Sequence, residues 1–184
     1  TLEVAGIFDS SSLQVLGRSL KHFTQLTTFN IRCYPVEDLP TLTPFISDLT
    51  TFQHLCLYNN SASKLDSDGM TKVGSDLSKL TQLRYLCVDR LVDGKDEESV
   101  QLWCELISSL PNLTTLRLPF NEFKPTSMVK LCEYISQLSG LTYLDLSWST
   151  LDEKSMNVLG KLVTNLPLLH LHLRCIEWES GGFN

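Results

Sequence analysis

Apolar and polar residues alternate along this chain in two rhythms that take turns. In the first, apolar residues sit three, two and then five apart, as at Leu113, Leu116, Leu118 and Phe123, with Asn121 just before the last. The same spacing recurs at Leu26, Phe29, Ile31, Tyr34 and Val36, at Phe52, Leu55, Leu57, Asn60 and Ala62, and at Leu83, Leu86, Val88 and Leu91. It continues at Leu141, Leu144, Leu146, Ser149 and Leu151 and at Leu168, Leu171, Leu173 and Ile176; a truncated copy, Leu2, Val4 and Ile7, opens the chain. Anchors at 26, 52, 83, 113, 141 and 168 give steps of 26, 31, 30, 28 and 27 residues, a solenoid period.

The second rhythm fills the intervals. Val100, Trp103, Ile107 and Leu110, then Met128, Leu131, Ile135 and Leu138, then Met156, Leu159, Val163 and Leu166 keep helical spacing. Apolar residues at i, i+3 and i+7 mark one buried helix face, while the two leucines flanking a single residue mark a short half-buried strand. Each unit therefore predicts one strand, one turn and one helix. Such a unit cannot bury its apolar side alone, so neighbours stack with strands parallel and helices on one side of the sheet. A helix is about 10 Å wide against about 4.8 Å between strands, and the stack bends with the strands inside the curve.

On these anchors the chain resembles the ribonuclease-inhibitor-like class of leucine-rich repeats. The resemblance implies an α/β, right-handed leucine-rich-repeat solenoid, a horseshoe with about seven parallel strands on the concave side and helices on the convex side. It covers a single domain, residues 1–184. In that class an asparagine or cysteine closes the motif and ties the turn, a role that falls here to Asn60 and Asn121. Tyr34 and Leu91 stand there in the second and fourth copies, where irregular turns are expected. Irregular repeats of this length are also similar to the ligand-sensing region of NLR-type (NACHT-containing) innate immune receptors. A bacterial effector scaffold or an enzyme-inhibitor-like regulatory protein is the alternative.

Local chemistry refines the elements. The run Asp9 to Ser12 offers N-caps for a first helix burying Leu13, Leu16 and Leu20. Pro44 removes a donor, so the next convex segment is expected to be short or 3₁₀-like. Later helices should start at Asp96, near Thr126 and at Asp152, with Asp96, Glu97 and Glu98 serving a helix start rather than an acidic binding lip. The abrupt ends predict a piece of a larger protein with other domains, or else a terminal repeat capped by Trp178 and Phe183.

A net charge of −6 and a pI near 5.1 argue against nucleic acid or an anionic membrane as the main partner. No apolar run is long enough to span a membrane. The six cysteines form no terminal cluster of the extracellular kind, so a reducing, cytoplasmic setting is expected. Cys104 and Cys132 lie beside buried helix stripes; Cys56 and Cys87 fall on neighbouring strands, with no basic setting to activate them.

The residues between the strand leucines point into the concave face. That column and its flanks include Tyr85, Arg117, Tyr143, Asp145, His172 and Arg174, with Phe120 and Trp148 at the rim. These residue types dominate binding hot spots, so we expect a protein partner or ligand there. Arg117, Asp145 and His172 should stand side by side as exposed charges, and Tyr85, Phe120, Tyr143 and Trp148 as one aromatic row. His170 and His172 share a strand face with Asp145 beside them but have no third ligand at the usual zinc spacing, and no phosphate loop or nucleophile elbow exists. The reading is a non-enzymatic interaction module without a cofactor.

Overall fold

A computed structural model describes residues 1–33 and 35–179. Among these residues the sheet strands are β1 (Leu2–Ala5), β2 (Thr28–Cys33), β3 (His54–Asn59), β4 (Tyr85–Asp89), β5 (Thr115–Arg117), β6 (Tyr143–Asp145) and β8 (His170–His172). They form one parallel sheet in that order, each pairing with the strand one repeat away. Helices α1 (Ser10–Leu20), α2 (Thr43–Ser47), α3 (Ser67–Leu77), α4 (Glu97–Ser108), α5 (Pro125–Ile135) and α6 (Glu153–Asn165) return the chain between strands and pack on their neighbours in sequence. A parallel pair needs such a crossover, and repeating it builds the leucine-rich-repeat solenoid.

Register is set by what each strand buries. Phe29 pairs with Leu55, Leu86 with Leu116, Leu116 with Leu144 and Leu144 with Leu171. The aligned leucines form a continuous row that is fully buried as far as Leu144. A slip of one residue would turn that row out to water. Backbone bonds repeat with the same step: the Thr142 and Tyr143 amides share the Thr114 carbonyl, and the Leu169 and His170 amides share that of Thr142.

The helices follow their sequence signals with two exceptions. Asp9, Asp66, Asp96 and Asp152 each accept a backbone N–H three residues on, and Ser155 completes a capping box with Asp152. Helix α5 instead begins after Lys124 with Pro125 in its first turn and no side-chain cap. In α6 the buried stripe is Ser155, Leu159, Leu162 and Leu166, while Met156 and Val163 face out. The expected stripe is displaced because α6 has a neighbouring helix on one side alone among the described residues. The prolines act as expected: Val36–Thr41 is a 3₁₀ helix and α2 spans five residues.

The turns after the strands differ from the expectation. Tyr34 lies outside the described residues, but the fourth copy is regular. Arg90, Phe120, Trp148 and Cys175 occupy equivalent positions and all adopt left-handed backbone, with φ of 61°, 59°, 65° and 52°. Non-glycine residues reach this region at a cost of about 1–3 kcal/mol, so the surrounding bonds must hold them there. Asn121 does much of that holding: its Oδ1 accepts from the Leu91 and Val92 amides, and its Nδ2 donates to the Val88 carbonyl. It thus anchors the turn of the preceding repeat, which has no asparagine of its own. Gly94 is confined by the same structure, since a Cβ there would lie 2.5 Å from the Asn121 carbonyl oxygen and the Phe123 nitrogen.

In the third copy the tie is Asn59, not Asn60. Asn59 is buried, accepts from the Ser61 amide and donates to the Ser63 and Arg90 carbonyls, while Asn60 is exposed. Trp178 is not a cap. It belongs to β9 (Glu177–Trp178), which pairs in parallel with β7 (Thr150–Leu151), and stays 57% exposed; Phe183 lies outside the described residues.

Replacing Asn121 by alanine strands two amides and a carbonyl in the core, so urea unfolding should show a loss of about 3 kcal/mol. Asn60→Ala should change stability by less than about 0.5 kcal/mol. Leu144→Ala should cost about 2–5 kcal/mol.

Candidate functional site

Alternation along β4 to β8 leaves one side of the sheet free of helices, and there the chemistry collects. Arg117 stands opposite Asp145 and Asp145 opposite His172, as the spacing implied. Their exposure does not match the expected ladder of exposed charges. The Asp145 side chain is 5% exposed against 35% for Arg117. Its Oδ1 accepts from both the amide and the hydroxyl of Ser147, and its Oδ2 takes the Arg117 Nε and Nη2 at 3.3 Å. Ser147 Oγ in turn accepts from the Arg174 amide. Asp145 is therefore a tie between strand and turn that also positions Arg117, supplying in the sixth copy a link that asparagine supplies elsewhere.

Arg117 is the hub of the exposed layer. Its Nη1 donates to the Tyr85 hydroxyl at 3.4 Å, and its guanidinium carbon lies 6.0 Å from the Tyr143 ring centre. His54 stacks on Tyr85 at 5.5 Å, and Tyr143 packs against His170 and His172 at 5.6 and 4.8 Å. The Tyr143 hydroxyl and His172 Nδ1 are 3.2 Å apart. Burial pushes the Tyr85 phenol up, with the Arg117 contact opposing it. Arg174 is exposed at the end of this surface.

The aromatic residues divide into two groups rather than one row. Tyr85 and Tyr143 belong to the sheet face around Arg117. Phe120 and Trp148 belong to the rim, stacked at 4.8 Å, with the Arg90 guanidinium 4.8 Å above the Phe120 ring. The left-handed turn positions bring these side chains together. Lys64 Nζ donates to the Phe120 carbonyl, and Lys95 pairs with Glu122 at 2.6 Å beside the same turn. A cavity of about 280 Å³ opens there between Phe120, Trp148, Cys175 and Glu177. Arg90 escaped sequence reasoning, although its alignment with Phe120 and Trp148 was available as a signal.

Cys56 and Cys87 are register partners on β3 and β4, both free and buried. The neighbouring Cys87 thiol draws Cys56 down to about 7 against the effect of burial, with Tyr58 and Arg117 assisting; Cys87 is pushed up in exchange. Against the expectation, Cys56 lies below an ordinary thiol, chiefly through its contact with Cys87, with Arg117 of β5 a smaller contributor. Burial pushes Cys104 and Cys132 up to about 12, in keeping with their place in the core. Among the described residues no three His, Cys, Asp or Glu side chains are grouped as metal ligands, and no helix is long and apolar enough to cross a membrane.

No protein-family profile and no curated protein matches the chain. Among solved structures it is similar to an internalin from Listeria monocytogenes, 18% identical, with a TM-score of 0.30. The match covers 93% of this chain and 66% of the internalin chain, just under two thirds of that protein's length. The fold assignment rests on the sheet and its register, not on this likeness.

Site-resolved alkylation should show the Cys56 rate rising with pH and reaching half its plateau near pH 7, since the thiolate is the nucleophile. Cys104 and Cys132 should stay unlabelled across the same range. A half-point above about 8.5, the value of an ordinary thiol, would contradict the assigned pairing.

Proposed function

We propose that the chain is a protein-recognition module whose partner docks on the concave face and its rim. The observation that carries this reading is the half-exposed lattice of Tyr85, Arg117, Tyr143 and His172, which is held in place from beneath by the buried Asp145. Interfaces draw their affinity from a few rigid aromatic and arginine side chains, and pre-positioning lowers the entropy lost on binding. Arg174, Phe120 and Trp148 extend the surface. Trp148 is 45% exposed although stacked, an arrangement that favours a partner covering it.

The finer reading is a sensor region of an NLR-type receptor, working in the cytoplasm with other domains of the same chain. Its support is the steps of 26 to 31 residues with true helices in most repeats, together with free thiols at Cys56, Cys87, Cys104, Cys132 and Cys175. A shallow face suits occlusion and binding rather than catalysis, since it leaves water at any reacting atom.

Tyr143→Ala combined with Trp148→Ala should preserve the thermal unfolding profile and reduce capture of a bound protein by about tenfold or more. An unchanged set of captured partners would overturn the assignment of this face. For the finer reading, the full-length gene product should carry a nucleotide-binding module; a secretion signal joined to a ligase or hydrolase domain would overturn it.

A further inference from the structure

Hydrogen-bond capacity on the concave face is one-sided. The acceptor closest to Arg117 is the Asp145 carboxylate, and its oxygens are already taken by Ser147 and Arg117 itself. Arg117 is not saturated in return. Its two bonds to Asp145 converge on one oxygen at 3.3 Å, longer than the roughly 2.7–2.9 Å of a tight bidentate pair. A guanidinium carries five N–H donors, of which the Asp145 and Tyr85 contacts use three. The His172 imidazole, whose Nδ1 lies 3.2 Å from the Tyr143 hydroxyl, adds a further polar group beside it. Arg174 and His170, both exposed, complete the C-terminal part of the face.

Charge points the same way. The whole chain has 21 acidic and 15 basic residues, yet the ionisable side chains that reach the surface at the alternate positions of β5 to β8 and just after them are Arg117 and His172, both half-buried, and His170 and Arg174, both exposed, while the Asp145 carboxylate that pairs with Arg117 is buried. The nearest other acid on the face, Asp89, is half-buried and lies beside Arg90 and Lys64. Glu177 follows the last turn, where its backbone bonds to Ser149. Arg117 paired with the buried Asp145, together with an exposed Arg174, leaves this surface with a small positive balance on an acidic protein.

We infer that the surface around Arg117, His172 and Arg174 receives carboxylate side chains of an acidic peptide segment in the partner. Arg117, backed by Asp145 and flanked by the Tyr85 hydroxyl, takes one carboxylate in its fork. Arg174, two repeats further along, takes a second. The tyrosine rings supply apolar walls against the peptide backbone. This assignment rests on the recognition reading above and adds the sign of the partner.

The test uses amide chemical-shift mapping of the folded chain at low ionic strength with three short peptides alternating glycine with glutamate, lysine or glutamine. The glutamate peptide should perturb β5, β6 and β8, bind about tenfold more weakly to Arg174→Ala, and lose binding as salt is raised. Arg117→Lys, which keeps the charge over Asp145, should also weaken it, whereas Lys79→Ala on the helix side should not. Equal or stronger binding of the lysine or glutamine peptide on the same strands would overturn the anionic assignment while leaving protein recognition by this face intact. Absence of glutamate-peptide binding, or equal sensitivity to Lys79→Ala, would overturn it as well. Failure of the recognition reading itself would appear separately, as partner capture indifferent to the Tyr143 and Trp148 double substitution.

Discussion

The structure depends on the burial of one leucine row shared between consecutive repeats. A single strand and helix expose an apolar flank on each side, and only the next repeat in the stack covers it. Burying a leucine side chain is worth about 1.5–3 kcal/mol, and Leu86, Leu116 and Leu144 are each fully enclosed. Because strand residues alternate between faces, fixing those leucines inward fixes Cys87, Arg117 and Asp145 outward. The candidate surface is in this sense a by-product of core packing. The exposed apolar residues Ile7, Val15, Phe23, Met156, Val163 and Leu169 lie in the first repeat and the last two, where a flank has no neighbour among the described residues.

The turns add a second layer of constraint. Four non-glycine residues in succession adopt left-handed backbone at the same position of the repeat. The ties that hold them vary: Asn121 serves the fourth copy, Asn59 the third, and the Asp145 and Ser147 pair joins the sixth to Arg174. One consequence is the rim, where Arg90, Phe120 and Trp148 stack only because each leaves its strand with the same handedness. Another is the fixed posture of Arg117, whose counter-charge is part of the scaffold.

Periodicity alone made the parallel sheet, the helix-backed repeats and the outward column of Arg117, Asp145 and His172 legible, because spacing of two and of three to four is a direct image of strand and helix geometry. What it hid was anything that passes between repeats. Asn59 and Asn60 are adjacent and chemically identical, so only the length of β3 decides which one turns inward. Asp145 looked like an exposed charge because burial by Ser147 and Arg117 is a three-dimensional fact about neighbouring strands. The lowering of the Cys56 thiol comes first from Cys87 and to a smaller extent from Arg117, which lies 61 positions later in the sequence. Met156 and Val163 looked like core because helical spacing does not say how many neighbours a helix has.

The central claim is the parallel register that aligns Leu116, Leu144 and Leu171 and thereby sets Arg117 beside Asp145. Nuclear Overhauser contacts between backbone protons of these three strands measure it directly. Parallel pairing should give cross-strand contacts linking Thr115 to Arg117 with Tyr143 to Asp145, and those in turn with His170 to His172. Short contacts between opposing α-protons, the mark of antiparallel pairing, or a set displaced by one residue, would contradict it.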